Sequence, residues 1–239
     1  MSATMKLSII IPAYHEEQTI VKVLNEISRK VKTEHEILIV YDYEEDPTKK
    51  AVLDYLPGKN DNSINLIRNS VGTGRGALNA IKTGFKEAEG LAVIVVMADL
   101  ADDVGKIDQM YRLIEEGYDI VCGSRYMEGG RQVGGPAIKS LLSRTAGLTL
   151  HYFFRLPTHD ATNAFKMYRK EVLDKIKIES GGGYEYSLEI LTKAFKKGCK
   201  ITEVPTTWTD RTGGKSKFKL LKWLPLYLKW YVGLLKKSN

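Results

Sequence analysis

Cysteine is scarce: Cys122 and Cys199 are the only two among 239 residues. They lie far apart in apolar, strand-like surroundings without metal-ligand spacing, so they read as buried reduced thiols. A disulfide scaffold is excluded, and a reducing compartment is expected. Also missing is any run of about 20 apolar residues, so nothing spans a bilayer by the usual length rule. Residues 1–5 read as a short tail with no signal-peptide pattern. There is no internal repeat, no low-complexity linker and no nucleic-acid motif. What is present is a 43% apolar chain with a net charge of +7. That composition supports a real core and argues against disorder. A basic balance suits phosphorylated small molecules or acidic lipid headgroups, and the scatter of Lys and Arg leaves nucleic acid as the weakest partner.

Apolar strand candidates recur at Leu7–Ile11, Glu36–Val40, Ile64–Ile67, Ala92–Met97 and Asp119–Cys122. Helical spacing falls between them, as in Ile20, Leu24, Ile27 and Val31, or Ala77, Ala80, Ile81 and Phe85. This alternation predicts repeated βα units and a mostly parallel sheet with helices on both faces. After Gly123 the rhythm breaks. Residues 127–136, with four glycines and a proline, predict a loop. A helix is expected over Ile138–Phe154, a strand near Ala164–Tyr168, a helix near Tyr184–Lys197 and a strand near Lys200–Val204.

The stretch Val93–Asp103 carries the most chemistry. Four consecutive β-branched residues, Val93 to Val96, suit a strand covered on both faces. Asp99, Asp102 and Asp103 follow directly, at the carboxyl edge where open α/β sheets bind ligands. Oxygen-rich sites of this kind hold Mg²⁺ or Mn²⁺, which in turn hold phosphates. Asp102 has a second reading, as cap of a helix starting near Asp103. Pro12, Tyr14 and Glu16 close the first strand and suit a base or ribose pocket; alternatively, Glu16 only complements a helix dipole. Asp42 ends the second strand, as a nucleoside ligand or a solvated loop residue. The turn Asn69–Ala77, with Gly72, Gly74 and Gly76, opens a helix and suits phosphate held by backbone N–H groups. Its glycine spacing does not match a dinucleotide fingerprint, which disfavours a Rossmann oxidoreductase.

The tail is basic and amphipathic. Lys215, Lys219, Lys222, Lys229 and Lys236 fall within roughly 100° of a helical wheel, and leucines and aromatics fill much of the rest. Such a segment suits a helix lying in a membrane interface, with Pro225 as a kink. The alternative is a terminal helix packed on the protein's own core.

Taken in order, Ile10–Glu17, Asp42, the Gly72–Ala77 turn, Asp99 and Gly123-Ser124-Arg125-Tyr126 resemble family-two inverting glycosyltransferases of the GT-A fold. The nearest subgroup is the dolichol-phosphate (polyprenol-phosphate) mannosyltransferases. Asp160 ahead of Phe165, Val204-Pro205 and the run Arg211–Lys217 extend the resemblance to about residues 5–235. It implies an α/β GT-A domain over 5–212, followed by a basic amphipathic segment over 213–239. It implies transfer of a sugar from GDP-mannose or a UDP-sugar to a polyprenyl or dolichyl phosphate, with Mg²⁺ or Mn²⁺. The enzyme would sit peripherally on the cytoplasmic membrane face.

By the same resemblance, Pro12, Tyr14, Glu16 and Asp42 would bind the nucleoside and Asp99 would coordinate the metal. Arg125, Arg211, Ser216 and Lys217 would meet phosphates of donor and acceptor. Three departures stand out. Met97 replaces the subgroup's first metal-binding Asp, Ala101 replaces a Gln, and Asp102-Asp103 replaces His-Pro. The metal site has therefore lost one or two ligands and is expected to recruit Asp102. Because of Met97, a catalytically impaired nucleotide-sugar-binding protein stays open as an alternative. A sugar-hydroxyl acceptor is another, with Asp160 or Glu185 as base.

Overall fold

The computed structural model describes residues 5–57, 63–73, 75–181, 183–210 and 220–234. The N-terminal half alternates strands β1 (Leu7–Ala13), β2 (His35–Tyr41), β3 (Ile64–Arg68) and β4 (Ala92–Val95) with helices α1 (Ile20–Lys30), α2 (Pro47–Tyr55) and α3 (Ala77–Glu87). Helix α4 (Ile107–Glu115) leads into β5 (Ile120–Ser124). The second half is less regular: β6 (Arg131–Val133), α5 (Ala137–Phe154), β7 (Lys166–Arg169), α6 (Lys170–Asp174), α7 (Tyr186–Lys196), β8 (Ile201–Pro205), β9 (Thr207–Thr209) and α8 (Leu220–Gly233).

Seven strands form one sheet in the order β3-β2-β1-β4-β7-β5-β8. All its pairings are parallel except those of β7, which runs antiparallel to β4 and β5. The parallel strands are apolar on both faces because helices cover both, and β1 and β4 are buried at every residue. One core cluster lies on each side, with α1 and α4 on one and α3, α7 and α8 on the other. Helix α1 turns Ile20, Val23, Leu24 and Ile27 inward, as the spacing predicts. On the other face, Gly84 of α3 sits so close to β1 that an added Cβ would lie 2.4 Å from Ile10.

Strand order reverses at β1, whose neighbours β2 and β4 lie on opposite sides. The two pairings have different lengths. β1 pairs with β2 as far as Ala13 and Tyr41, but with β4 only as far as Ile10 and Val95. The last bond to β4 runs from the Val96 N–H to the Ile10 carbonyl, 2.9 Å. The next bond of a parallel ladder would need an N–H at residue 12, and Pro12 has none. The sheet therefore opens between β1 and β4 at its carboxyl edge, where doubly wound folds take their ligands.

Several elements differ from the sequence expectations. The region 127–136 is not all loop, since Arg131–Val133 pairs in parallel with Thr207–Thr209 as a separate two-stranded ribbon. β4 stops at Val95 rather than Met97. Helix α2 lacks strong apolar periodicity but has Pro47 in its first turn, and Asp46 caps the Thr48 N–H at 2.9 Å. Of the segment 213–239, only 220–234 lies within the described residues. There, the helix packs on the protein's own core, the alternative reading of the tail. Trp230 is buried in the core, Tyr227 and Tyr231 pack against it, and the Tyr231 hydroxyl donates to Thr149 of α5 at 2.8 Å. The opposite face leaves Leu224, Leu228 and Val232 exposed. No helix of the described residues is long and apolar enough to cross a membrane.

Candidate active site

The crevice between β1 and β4 is flanked by backbone in an unusual conformation. Only three non-glycine residues among those described have positive φ: His15 (57°), Leu100 (62°) and Arg155 (56°). His15 follows β1 and Leu100 follows β4, so two of the three stand beside the crevice. Strain of this kind persists where surrounding structure enforces it, commonly at ligand sites.

On the β4 side, residues 97–103 form a tight loop. Asp99 Oδ1 accepts the Ala101 N–H at 3.1 Å. Asp102 Oδ2 accepts the Met97 N–H at 3.1 Å. Asp103, not Asp102, caps the following helical turn through the Gly105 N–H, which removes the capping role considered for Asp102. Asp102 folds back onto residue 97, the position that lacks an acid. Burial pushes its pKa up to about 7; the Met97 N–H opposes this, the negative charge of Asp99 adds to it, and Arg125 opposes it. Asp99 Oδ2 and Asp102 Oδ1 carry no hydrogen bond among the described residues. Two interacting carboxylates, each with an unengaged oxygen, offer donors of the type a hard divalent cation takes, while among the described residues no three His, Cys, Asp or Glu side chains group to hold a metal.

On the β1–β2 side the expected nucleoside residues come together. Pro12 is buried at the end of β1 and Tyr14 is 50% exposed. The Glu16 N–H donates to Thr48 Oγ1 at 2.8 Å, and its carboxylate accepts from Thr19 Oγ1 at 2.9 Å, ahead of α1. Asp42 is buried rather than solvated. Its Oδ1 accepts from Asn69 Nδ2 and its Oδ2 from the Gly76 N–H, both at 2.8 Å. It therefore braces the glycine turn. The N–H groups of Gly76, Ser70 and Val71 all point inward, the last two to Thr83 Oγ1, so these three do not form a phosphate cradle. Gly74 lies outside the described residues, as do Arg211, Ser216 and Lys217.

Arg125 follows β5 at the same edge. Its guanidinium grips Asp160 through Nε (2.6 Å) and an NH2 nitrogen (2.9 Å), and its backbone N–H donates to the same carboxylate. Asp160 is fully buried and the Arg125 side chain is 11% exposed. Burial alone would lower the Arg125 pKa, but Asp160 outweighs it and the group stays cationic. The same guanidinium reaches Ser143 of α5 at 3.0 Å and lies over the Tyr126 ring. Asp160 is thus engaged and poorly placed to act as a base.

Sequence reasoning passed over Lys166. It is fully buried, forms no ion pair with a carboxylate among the described residues, and donates to the Ala161 and Asn163 carbonyls and to Ser187 Oγ. Burial lowers its pKa. Its bonds hold the turn that presents Asp160, and a lone Lys in a strand pattern gives no signal of that. Behind the 97–103 loop, a cavity of about 710 Å³ is lined by Lys22, Asn25, Met97, Asp102, Thr207 and Thr209, among others. It shares Val96, Met97, Leu100, Ala101, Asp102 and Asp103 with the β4 side of the crevice, and none of Pro12, Tyr14, Glu16 or Asp42.

The Glycosyl transferase family 2 profile matches residues 8–177. Over 233 residues, the chain is 28% identical to polyprenol monophosphomannose synthase of Mycolicibacterium smegmatis, covering 92% of this chain and 87% of that protein. It is 31% identical over 220 residues to dolichol-phosphate mannosyltransferase of Pyrococcus furiosus, covering 90% of this chain and 60% of that longer protein. Among solved structures, glucosyl-3-phosphoglycerate synthase from Mycobacterium tuberculosis, in complex with Mn²⁺, UDP and phosphoglyceric acid, superposes with a TM-score of 0.72. That match is at 15% identity, over 98% of this chain and 80% of the other. At that identity the match shows a shared fold, the GT-A fold.

Proposed function

Since the chain belongs to glycosyl transferase family 2 and is a glycosyltransferase, we propose that it moves a sugar from a nucleoside-diphosphate sugar to a polyprenyl phosphate, with inversion. The observation that carries this is the carboxylate pair Asp99 and Asp102, beside a crevice that Pro12 keeps open. Asp102 takes over the acid missing at position 97, so Asp99 and Asp102 would hold Mg²⁺ or Mn²⁺. When bound, the metal neutralises charge on the leaving diphosphate. Pro12, Tyr14 and Glu16 line the nucleoside end, and Asp42 keeps the glycine turn in register beside it. Arg125, oriented by Asp160, presents fixed positive charge at the opposite end, suited to an acceptor phosphate. A phosphate nucleophile is already ionised at neutral pH, so the reaction needs no general base. The engagement of Asp160 by Arg125 agrees with that requirement.

A lipid acceptor also explains the apolar surface. Ile138, Leu141, Tyr152 and Phe153 of α5 are exposed, as are Leu224 and Leu228 of α8, and the two helices pack together. Exposed apolar residues on two helices that pack together suit a peripheral position on a bilayer. The test is a transfer assay over GDP- and UDP-sugars, with polyprenyl phosphates or free sugars as acceptors, and with Mg²⁺ or EDTA. Product is expected only with a lipid phosphate and only without EDTA. Transfer to sugar hydroxyls while lipid phosphates stay inert would overturn the acceptor.

A further inference from the structure

Lys166 opens β7, the strand inserted between β4 and β5, and burying an ammonium there is costly. Its surroundings do little to offset that cost. Cys122, its partner across the β5 pairing, stays neutral because burial raises the thiol to about 12. Asp160, the acid whose charge acts on Lys166, is already gripped by Arg125. What the ammonium does is gather one turn. It donates to the Ala161 carbonyl (3.1 Å), to the Asn163 carbonyl and to Ser187 Oγ of α7 (2.8 Å), and Ser187 in turn donates to the Asn163 carbonyl (3.0 Å). The same turn holds the Asp160 carboxylate, because the Asn163 N–H donates to Asp160 Oδ1 at 3.2 Å. Asn163 Nδ2 also donates to the Gly123 carbonyl at 2.8 Å, on β5 just ahead of Arg125. One buried turn therefore fixes both the anion that orients the Arg125 guanidinium and the strand end that carries its backbone.

We infer that Lys166 is a positioning residue for the acceptor: by tying the 160–163 turn to the start of α7, it sets where Asp160 holds the Arg125 guanidinium, and with it the binding of the acceptor phosphate. The inference rests on the lipid-phosphate reading above and adds to it a residue that touches no substrate. A guanidinium binds phosphate through paired, directional hydrogen bonds, so a shift of about 1 Å in the turn weakens it steeply.

The experiment compares Lys166→Met, which keeps most of the volume and removes the ammonium, with Ser187→Ala, which removes one of the groups the ammonium binds. Kinetics are run with a polyprenyl phosphate and whichever nucleoside-diphosphate sugar is turned over, and the Arg125 Nε–H is followed by nitrogen–proton NMR. In Lys166→Met the acceptor KM is expected to rise about tenfold or more, with the donor KM unchanged and the Arg125 Nε–H signal shifted. Ser187→Ala is expected to show the same pattern at smaller size, and it carries the test if Lys166→Met does not fold. A purely structural lysine would lower the melting temperature and the amount of active enzyme while both KM values and the Arg125 signal stay where they are. That result overturns the inference, as does an equal rise in both KM values. If the wild-type protein transfers nothing to a lipid phosphate, the acceptor reading falls, and the Arg125 signal alone then decides whether Lys166 positions that side chain.

Discussion

At the β1–β4 edge, Asp99 and Asp102 each keep an oxygen that no described residue engages, and they repel each other. At the β5–α5–α7 end, charges are matched in advance: Arg125 with Asp160, and Glu189 with Lys193 and the N–H groups of Glu179 and Ser180, while Glu203 accepts the His159 N–H. The first end is electrostatically unfinished and suits a ligand that brings positive charge. The second is paired in advance, and Asp160 fixes Arg125 where it can meet an acceptor phosphate. Removing an acid should therefore harm activity alone at the first end and stability at the second.

The largest effect is expected at the unfinished end. Asp99→Ala combined with Asp102→Asn should lower transfer by about a hundredfold or more, measured with whichever donor is turned over. The melting temperature should hold or rise, because Asp102 no longer has to be buried beside a like charge. A large fall in melting temperature instead would break the comparison. At the completed end, Asp160→Ala leaves the Arg125 cation buried without its partner. About 3–5 kcal/mol of stability should be lost, read by chemical denaturation, and a neutral result would show that this pair is not structural.

A smaller effect concerns pH. The Glu189 pKa is lowered: burial raises it, but the bonds from Lys193 and from the Glu179 and Ser180 N–H groups outweigh that. A carboxylate depressed below its ordinary 4.5 contributes stability that is present above that pH and is lost as pH falls through the folded value. Glu189→Gln should therefore melt lower than wild type at pH 7, and the gap should shrink below about pH 4.5. A gap independent of pH would mean that packing, not charge, holds the α7 start. The smallest effect is expected on the outer surface. Leu228→Glu on α8 should leave the melting temperature unchanged and weaken co-sedimentation with anionic vesicles, sharpening the difference between this helix's two faces.

The regular end was the more legible in the sequence. β1 to β5 announce themselves as β-branched runs, and their spacing implies parallel βα units. Periodicity does not encode direction, so the reversal of β7 was not visible. The strands β6 and β9 are three residues each and find each other across more than seventy positions, without a local pattern. At the site, Asp99 and Asp42 were legible as acids at strand ends. Their partners were not: Asp42 reaches Gly76 across 34 positions and Arg125 reaches Asp160 across 35. The exchange of roles between Asp102 and Asp103 was hidden because either spacing permits a helix cap. Only the chain's path shows that Asp102 turns back to residue 97.

The proline at position 12 has a consequence for how quickly this protein can be filled. Because one rung of the ladder is missing by covalent structure, the gap beside β1 exists before any guest arrives and no pairing has to be unzipped to admit one. Restoring the rung, as in Pro12→Val, should let the seam knit one step further and trade occupancy for rigidity: slower nucleotide entry, in a sheet that melts higher.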